Sequence, residues 1–83
     1  MSSEGRSLVD MVELLVRGFV SHPEATAVSE VRKPDSIILE LRVSPSDLGR
    51  VIGRQGRTAR ALRTLVSLAG EKLDRRHHLQ ILD

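Results

Sequence analysis

The chain has no cysteine, no tryptophan and no tyrosine, and Phe19 is its single aromatic residue. Without cysteine there is no disulfide framework, no thiolate nucleophile and no cysteine-based zinc site. Without a row of rings the chain has no platform on which successive bases could stack. That argues against the readers of nucleic acid whose mechanism depends on such rings, the RRM and OB types. Long hydrophobic runs are missing too. Stretches such as Leu14-Leu15-Val16 and Ile37-Ile38-Leu39 are far too short to span a bilayer, and no secretory leader is recognisable, so the expectation is a cytoplasmic protein with no membrane partner. What remains is 83 residues, 40% hydrophobic and 29% charged: one small domain with little spare structure for enclosing a dry active site.

The charge that is present is unevenly placed. Net charge is only +2, yet residues 49–76 hold eight basic and two acidic residues, and none of the acids lies between Gly49 and Gly70. Residues 1–48 hold five basic and eight acidic residues. A segregated basic half is the electrostatic footprint of a polyanion partner, although a solvated helix face has the same look. Of the 13 basic residues 11 are arginine, whose planar fork suits phosphate.

Along the chain, residues 1–6 read as a short disordered start and residues 7–83 as one domain. Ser7 reads as a helix N-cap with Asp10 reaching back, and Leu8, Val12, Leu15 and Phe19, with Val16 beside them, form one apolar stripe. Gly18 weakens this helix and Pro23 stops it. Leu14 falls off the stripe as a lone exposed residue or a contact point. Residues 27–32 form a short strand, Lys33-Pro34-Asp35-Ser36 a turn, and residues 37–43 a clear strand with Ile37, Leu39, Leu41 and Val43 on one face. Ser44, Pro45 and Asp47 open a short helix whose buried side is Leu48, Val51 and Ile52. After Gly53-Arg54-Gln55-Gly56 a second helix runs over residues 57–73. Its core side is Ala61, Leu62, Leu65, Val66, Leu68, Ala69 and Leu73, and Arg57, Arg60 and Arg63 lie on the other side. Residues 77–82 close the chain as a third strand. The order is α-β-β-α-α-β.

Val51-Ile52-Gly53-Arg54-Gln55-Gly56-Arg57 is the segment that points to chemistry. Two glycines three apart let the backbone turn sharply and leave no Cβ in the way of an approaching chain. The next helix starts immediately afterwards, so its unpaired N–H groups and positive end face the bend. A phosphate there meets amides and the guanidinium groups of Arg54 and Arg57, with Gln55 adding a neutral bond and Arg50 and Arg60 extending the rim. A G-x-x-G alone is a common helix break; the flanking helices and the basic stripe set this one apart.

The run from Leu48 to Arg63, LGRVIGRQGRTARALR, resembles the signature of a K-homology (KH) domain, and most closely the small bacterial single-KH RNA-binding proteins of the KhpA type. The resemblance covers nearly the whole chain, though arginine often stands where relatives tend to have lysine. It implies an α+β fold of the type II KH order, three strands in one layer with three helices on one face. It also implies that Gly53, Arg54, Gln55 and Gly56 clamp a single-stranded RNA backbone, a loop that in this family grips about four nucleotides. Ile52 and Val51 would line an apolar groove for unpaired bases, and the turn near Lys33 would form the opposite rim with the third strand. The partners implied are single-stranded RNA and a larger KH protein of the Jag (KhpB) type, with roles in cell-envelope growth and division. RNA chaperoning or post-transcriptional regulation is the corresponding activity.

Rival readings have less behind them. Of His22, His77 and His78, the last two are strand neighbours facing opposite ways and make no natural metal pair; a partly exposed strand start near the basic rim is the simple reading. No carboxylate pairs with a nucleophile and no phosphate-binding P-loop occurs, so no enzyme, cofactor, metal or small-molecule substrate is expected. A helix-turn-helix-like reader of duplex DNA remains as an alternative. So does an adaptor or dimerisation module, in which the chain pairs with itself or another protein.

Overall fold

A computed structural model describes the backbone of residues 4–83 and the side chains of residues 8–83. The first helix, α1, spans Glu4–Arg17 and is followed by a short 3-10 turn at Pro23–Ala25. Strands β1 (Ala27–Arg32) and β2 (Ser36–Arg42) form a hairpin. A 3-10 turn, Pro45–Asp47, leads into the short helix α2 (Leu48–Ile52), and a second one, Arg54–Gly56, leads into the long helix α3 (Arg57–Lys72). Strand β3 (Arg76–Ile81) completes the α-β-β-α-α-β order expected from the sequence.

The sheet has the order β1-β2-β3. The hairpin is antiparallel and closed by a two-residue turn, with Lys33 N–H donating to the Ser36 carbonyl at 2.8 Å. β3 lies parallel to β2, Leu39 opposite Leu79. A parallel neighbour cannot be reached by a tight turn, so the α2–α3 segment is the crossover that carries the chain back. Ile37, Leu39, Leu41, Val43, His77 and Leu79 are buried under the helices, whereas Ser29, Arg42, His78 and Gln80 are exposed. One face of the sheet is therefore covered by helices and the other meets solvent. Among the described residues no helix is long and apolar enough to cross a membrane.

The core joins every element, with Val12, Val16, Leu39, Leu41, Val51 and Val66 almost wholly withdrawn from water. Each such side chain contributes about 1.5–3 kcal/mol of burial.

Several local expectations need correction. α1 begins at Glu4, so Ser7 lies inside it rather than capping it, and residues 4–6 belong to the helix. Residues 1–3 of the expected disordered start lie outside the described residues. α1 ends at Arg17, where the Gly18 N–H bonds to the Leu14 and Leu15 carbonyls; Pro23 instead opens the next 3-10 turn. The buried stripe of α1 is Leu8, Val12 and Val16, with Leu15 exposed and Phe19 only partly buried. In α3 the buried positions are Ala59, Leu62, Val66 and Gly70. Ala61, Leu65 and Leu68, expected in the core, face solvent, because a three-stranded sheet offers too little surface to cover so wide an apolar arc.

Ser44 makes no capping bond; its hydroxyl lies 3.0 Å from that of Ser46. His77 is also not the partly exposed strand start expected: it is 3% exposed, its Nδ1 is 2.9 Å from the Arg75 carbonyl, and its Nε2 is buried without a partner among the described residues. It does face away from His78, as strand alternation requires.

Candidate nucleic-acid interface

The bend between α2 and α3 is built by three residues of positive φ within four positions. Gly53 has φ 78° and ψ 170°, Gln55 φ 57° and ψ 25°, and Gly56 φ 73° and ψ 15°. The Gly53 conformation is essentially reserved for glycine. Space enforces the same choice: a Cβ there would lie 2.3 Å from Thr58 Oγ1 and 2.9 Å from the Thr58 nitrogen. So Gly53 serves the close approach of the chain to its own helix. Gly56 differs, since a Cβ there would meet nothing nearer than Arg60 at 4.0 Å, leaving its outer side open to a ligand.

Two internal bonds close the bend, Gly53 N–H to the Gly49 carbonyl at 2.8 Å and Gly56 N–H to the Gly53 carbonyl at 3.0 Å. The Arg57 N–H bonds to the Arg54 carbonyl. Arg54 and Gln55 are both exposed. They stand beside the positive end of the 16-residue α3, the place where backbone donors and helix dipole together favour an anion.

The arginines divide by role. The Arg54 side chain is exposed and makes no hydrogen bond or ion pair among the described residues. Arg57 donates to Gln55 Oε1 at 3.4 Å, a long bond that a phosphate would readily replace. Arg60 donates to the Gln55 carbonyl at 3.2 Å and so braces the strained bend while keeping other donors free. Arg50 reaches toward the end of α1, donating to the Phe19 carbonyl at 3.3 Å. It is the expected site residue that the structure draws away from the bend.

Beside the bend lies a groove of about 290 Å³. Ile52 lines it, as expected, with Gly56 and Ala59 on the α3 side and Ile81 on β3. Val51 does not: it is 0% exposed and packs into the core, turned about 100° around α2 from Ile52, and Leu48 takes its place as a lining residue. Arg63 and Asp83 complete the lining; neither was expected there. Arg63 stood out in the sequence only as one of a surface stripe, and nothing in the sequence brings Asp83 near it.

The turn near Lys33 is not the opposite rim. Its carbonyl accepts a bond from Arg75 at 3.0 Å, and Pro34 and Asp35 adjoin Gly70, Glu71 and Asp74 at the far end of α3. β2 runs from that turn toward α2, and β3 is parallel to it, so the turn sits where both strands begin and the bend where both end. The 16 residues of α3, about 24 Å long, separate them.

Asp47 fixes the position of α2. It is 2% exposed, and its carboxylate accepts the Ser21 N–H and the His22 N–H, each at 2.9 Å, with His22 Nδ1 at 3.3 Å. The Ser21 amide holds its pKa below the ordinary aspartate value, burial opposes this, and the His22 amide and ring add to the lowering. The sequence suggested a helix-start carboxylate; in the fold it ties the residue before α2 to the connection that follows α1.

Among the described residues no group of three or more His, Asp or Glu side chains is arranged to hold a metal ion. A family model described as "KhpA/KhpB, KH domain" matches residues 9–81. The chain is 43% identical over 77 residues to "RNA-binding protein KhpA" of Aquifex aeolicus, which covers 93% of this chain and 98% of that relative. It is 45% identical over 73 residues to the protein of the same description from Clostridium perfringens, covering 88% of this chain and 97% of the relative. The corresponding protein of Halalkalibacterium halodurans is 47% identical over 73 residues, covering 88% and 96%.

Proposed function

The chain belongs to the KhpA/KhpB KH-domain family, and from that membership together with the geometry of the bend we propose that it is a non-catalytic single-stranded RNA-binding protein of the cytoplasm. The RNA backbone is gripped by Gly53, Arg54, Gln55 and Gly56, with Arg57 and Arg60 along the rim, and a base enters the groove at Ile52. The observation that carries this reading is the bend itself, which sets the exposed Arg54 and Gln55 and the open side of Gly56 at the α3 N-terminus. Relatives described as RNA-binding proteins support the choice of polyanion. The cellular activity we assign is chaperoning of RNA or post-transcriptional regulation.

We further propose a protein partner, either a second KH protein of the Jag/KhpB type or a second copy of this chain. Met11, Leu65 and Leu68 bound an apolar hollow of about 610 Å³ between α1 and α3, well away from the bend. A contiguous apolar patch of this kind on a small domain marks an interaction surface. Two gripping sites held together would raise avidity for one RNA strand without any new contact.

The test is the Arg54→Asp/Gln55→Asp double variant. Both positions are exposed, and Asp tolerates the left-handed backbone of residue 55, so circular dichroism should match the parent. Affinity for a fluorescent single-stranded oligoribonucleotide should fall at least about a hundredfold, the equivalent of two charge-assisted hydrogen bonds at ~1.5 kcal/mol each. Retained affinity in a folded variant rejects the grip. Stronger binding of a same-length DNA duplex by the parent would favour the helix-turn-helix alternative.

A further inference from the structure

The groove beside the bend holds two polar side chains of opposite charge that the phosphate grip leaves unused, Arg63 and Asp83. Its remaining walls are apolar, chiefly Leu48, Ile52, Ala59 and Ile81. Among the described residues neither charged side chain makes a hydrogen bond or an ion pair with another protein group, and both are exposed. Asp83 is nevertheless placed by the fold: the Leu82 N–H donates to the Leu41 carbonyl at 2.9 Å, which carries the sheet register to the edge of the groove.

A free carboxylate next to a phosphate track is electrostatically unfavourable unless the ligand brings it donors. Bases do bring donors, and single-stranded RNA exposes their Watson–Crick and Hoogsteen edges. Guanine alone has two adjacent donors, N1–H and the N2 amine, which match the two oxygens of one carboxylate. Adenine and cytosine set their amine beside a bare ring nitrogen, and uracil flanks its N3–H with two carbonyl oxygens; each turns a lone pair toward the carboxylate. On its other edge guanine offers O6 and N7, the acceptor pair that a guanidinium takes with both arms. The apolar walls suit the flat faces of a base.

We propose that Asp83 and Arg63 are specificity-determining residues that select guanine for the nucleotide seated in this groove. The inference rests on the RNA-binding reading above and adds to it a base preference. The experiment uses the intact chain and fluorescein-labelled heptauridylates with guanosine, adenosine, cytidine, uridine or inosine at the central position, read by anisotropy. The guanosine oligomer should bind more tightly than the adenosine, cytidine and uridine ones by at least about fivefold, the lower end for one bidentate base contact. Inosine, which keeps N1–H, O6 and N7 but lacks the N2 amine, should fall between.

In the Arg63→Ala/Asp83→Ala double variant the spread among oligomers should shrink to within about twofold, as loss of both bidentate contacts requires. Asp83→Ala alone should bind the all-uridine oligomer more tightly than the parent, because a charge that repels phosphate is gone. Equal affinity of the parent for all five oligomers overturns the inference while leaving the backbone grip intact. A guanosine preference that survives in the double variant overturns it as well. Failure of the parent to bind any oligomer would instead remove the RNA-binding reading, and this one with it.

Discussion

Asp47 shows how much one side chain can decide outside the bend itself. It stands one residue before α2 and is nearly inaccessible, yet charged, because two backbone N–H groups from residues 21 and 22 converge on it. Its pKa is lowered in the fold, so the ionised form is the stabilising one. That contribution is complete above the unfolded-state value of about 3.9 and is lost as pH falls through the lower folded value. Asp47→Asn keeps the shape but turns an amide NH₂ toward N–H donors. The expected result is a lower Tm than the parent at neutral pH, with the gap starting to narrow below the unfolded-state value of about 3.9 and closing only below the lowered folded value, where the parent carboxyl is itself neutral. A gap that stays constant from pH 7 to pH 3 would show that the ionised carboxylate is not what holds the two segments together.

At the scale of an element, the bend and α3 carry different lessons. The two glycines of the bend look equivalent in the sequence, but only Gly53 meets both a glycine-only backbone region and a neighbouring chain segment at contact distance. Gly53→Ala should cost roughly 1–3 kcal/mol from backbone strain alone, with a steric addition from Thr58, and should weaken the proposed RNA binding by displacing the bend. Gly56→Ala should cost only about 1–2 kcal/mol, the usual penalty for a left-handed residue with a Cβ. Thermal melts of the two variants decide the matter; equal losses would mean that Thr58 moves aside freely.

Helix α3 has two apolar faces. Its inward stripe of Ala59, Leu62 and Val66 is core, and its outward residues Leu65 and Leu68 are exposed, Leu68 to 55%. Periodicity places residues on a common side of a helix, but it does not say how wide a side the sheet will cover.

For the whole molecule, the bend with its arginines and the exposed apolar surface lie apart. The bend, its arginines and the groove lie where β2 and β3 end, and the exposed leucines lie farther along α3 toward its other end. A partner on the apolar face would thus leave the RNA grip uncovered. Light scattering of the purified 9.2 kDa chain should give a mass of about two chains, reverting to one in Leu68→Glu because a carboxylate then has to be desolvated in the contact. A single-chain mass for the parent excludes the second copy as occupant and leaves the second KH protein. Leu14, 73% exposed on α1, was read from the sequence as a lone exposed residue or a contact point, and the exposed part of that reading agrees with the fold.

What the sequence determined by itself was local. Strand alternation, turn chemistry at Lys33–Ser36 and the G-x-x-G break each depend on residues within a few positions of one another, and all three reappear in the structure where they were placed. Tertiary structure decided everything that depends on which segments meet. Burial of His77, and the need for Gly70 to lack a Cβ that would lie 2.8 Å from His77 Nδ1, arise from segments packed across the core. The partnership of Asp47 with residues 21 and 22, the removal of the Lys33 turn to the far end of α3, and the meeting of Arg63 with Asp83 have the same origin. Each pairs side chains or backbone groups that one-dimensional periodicity does not relate, because only the parallel placement of β3 beside β2 fixes which ends of the elements become neighbours.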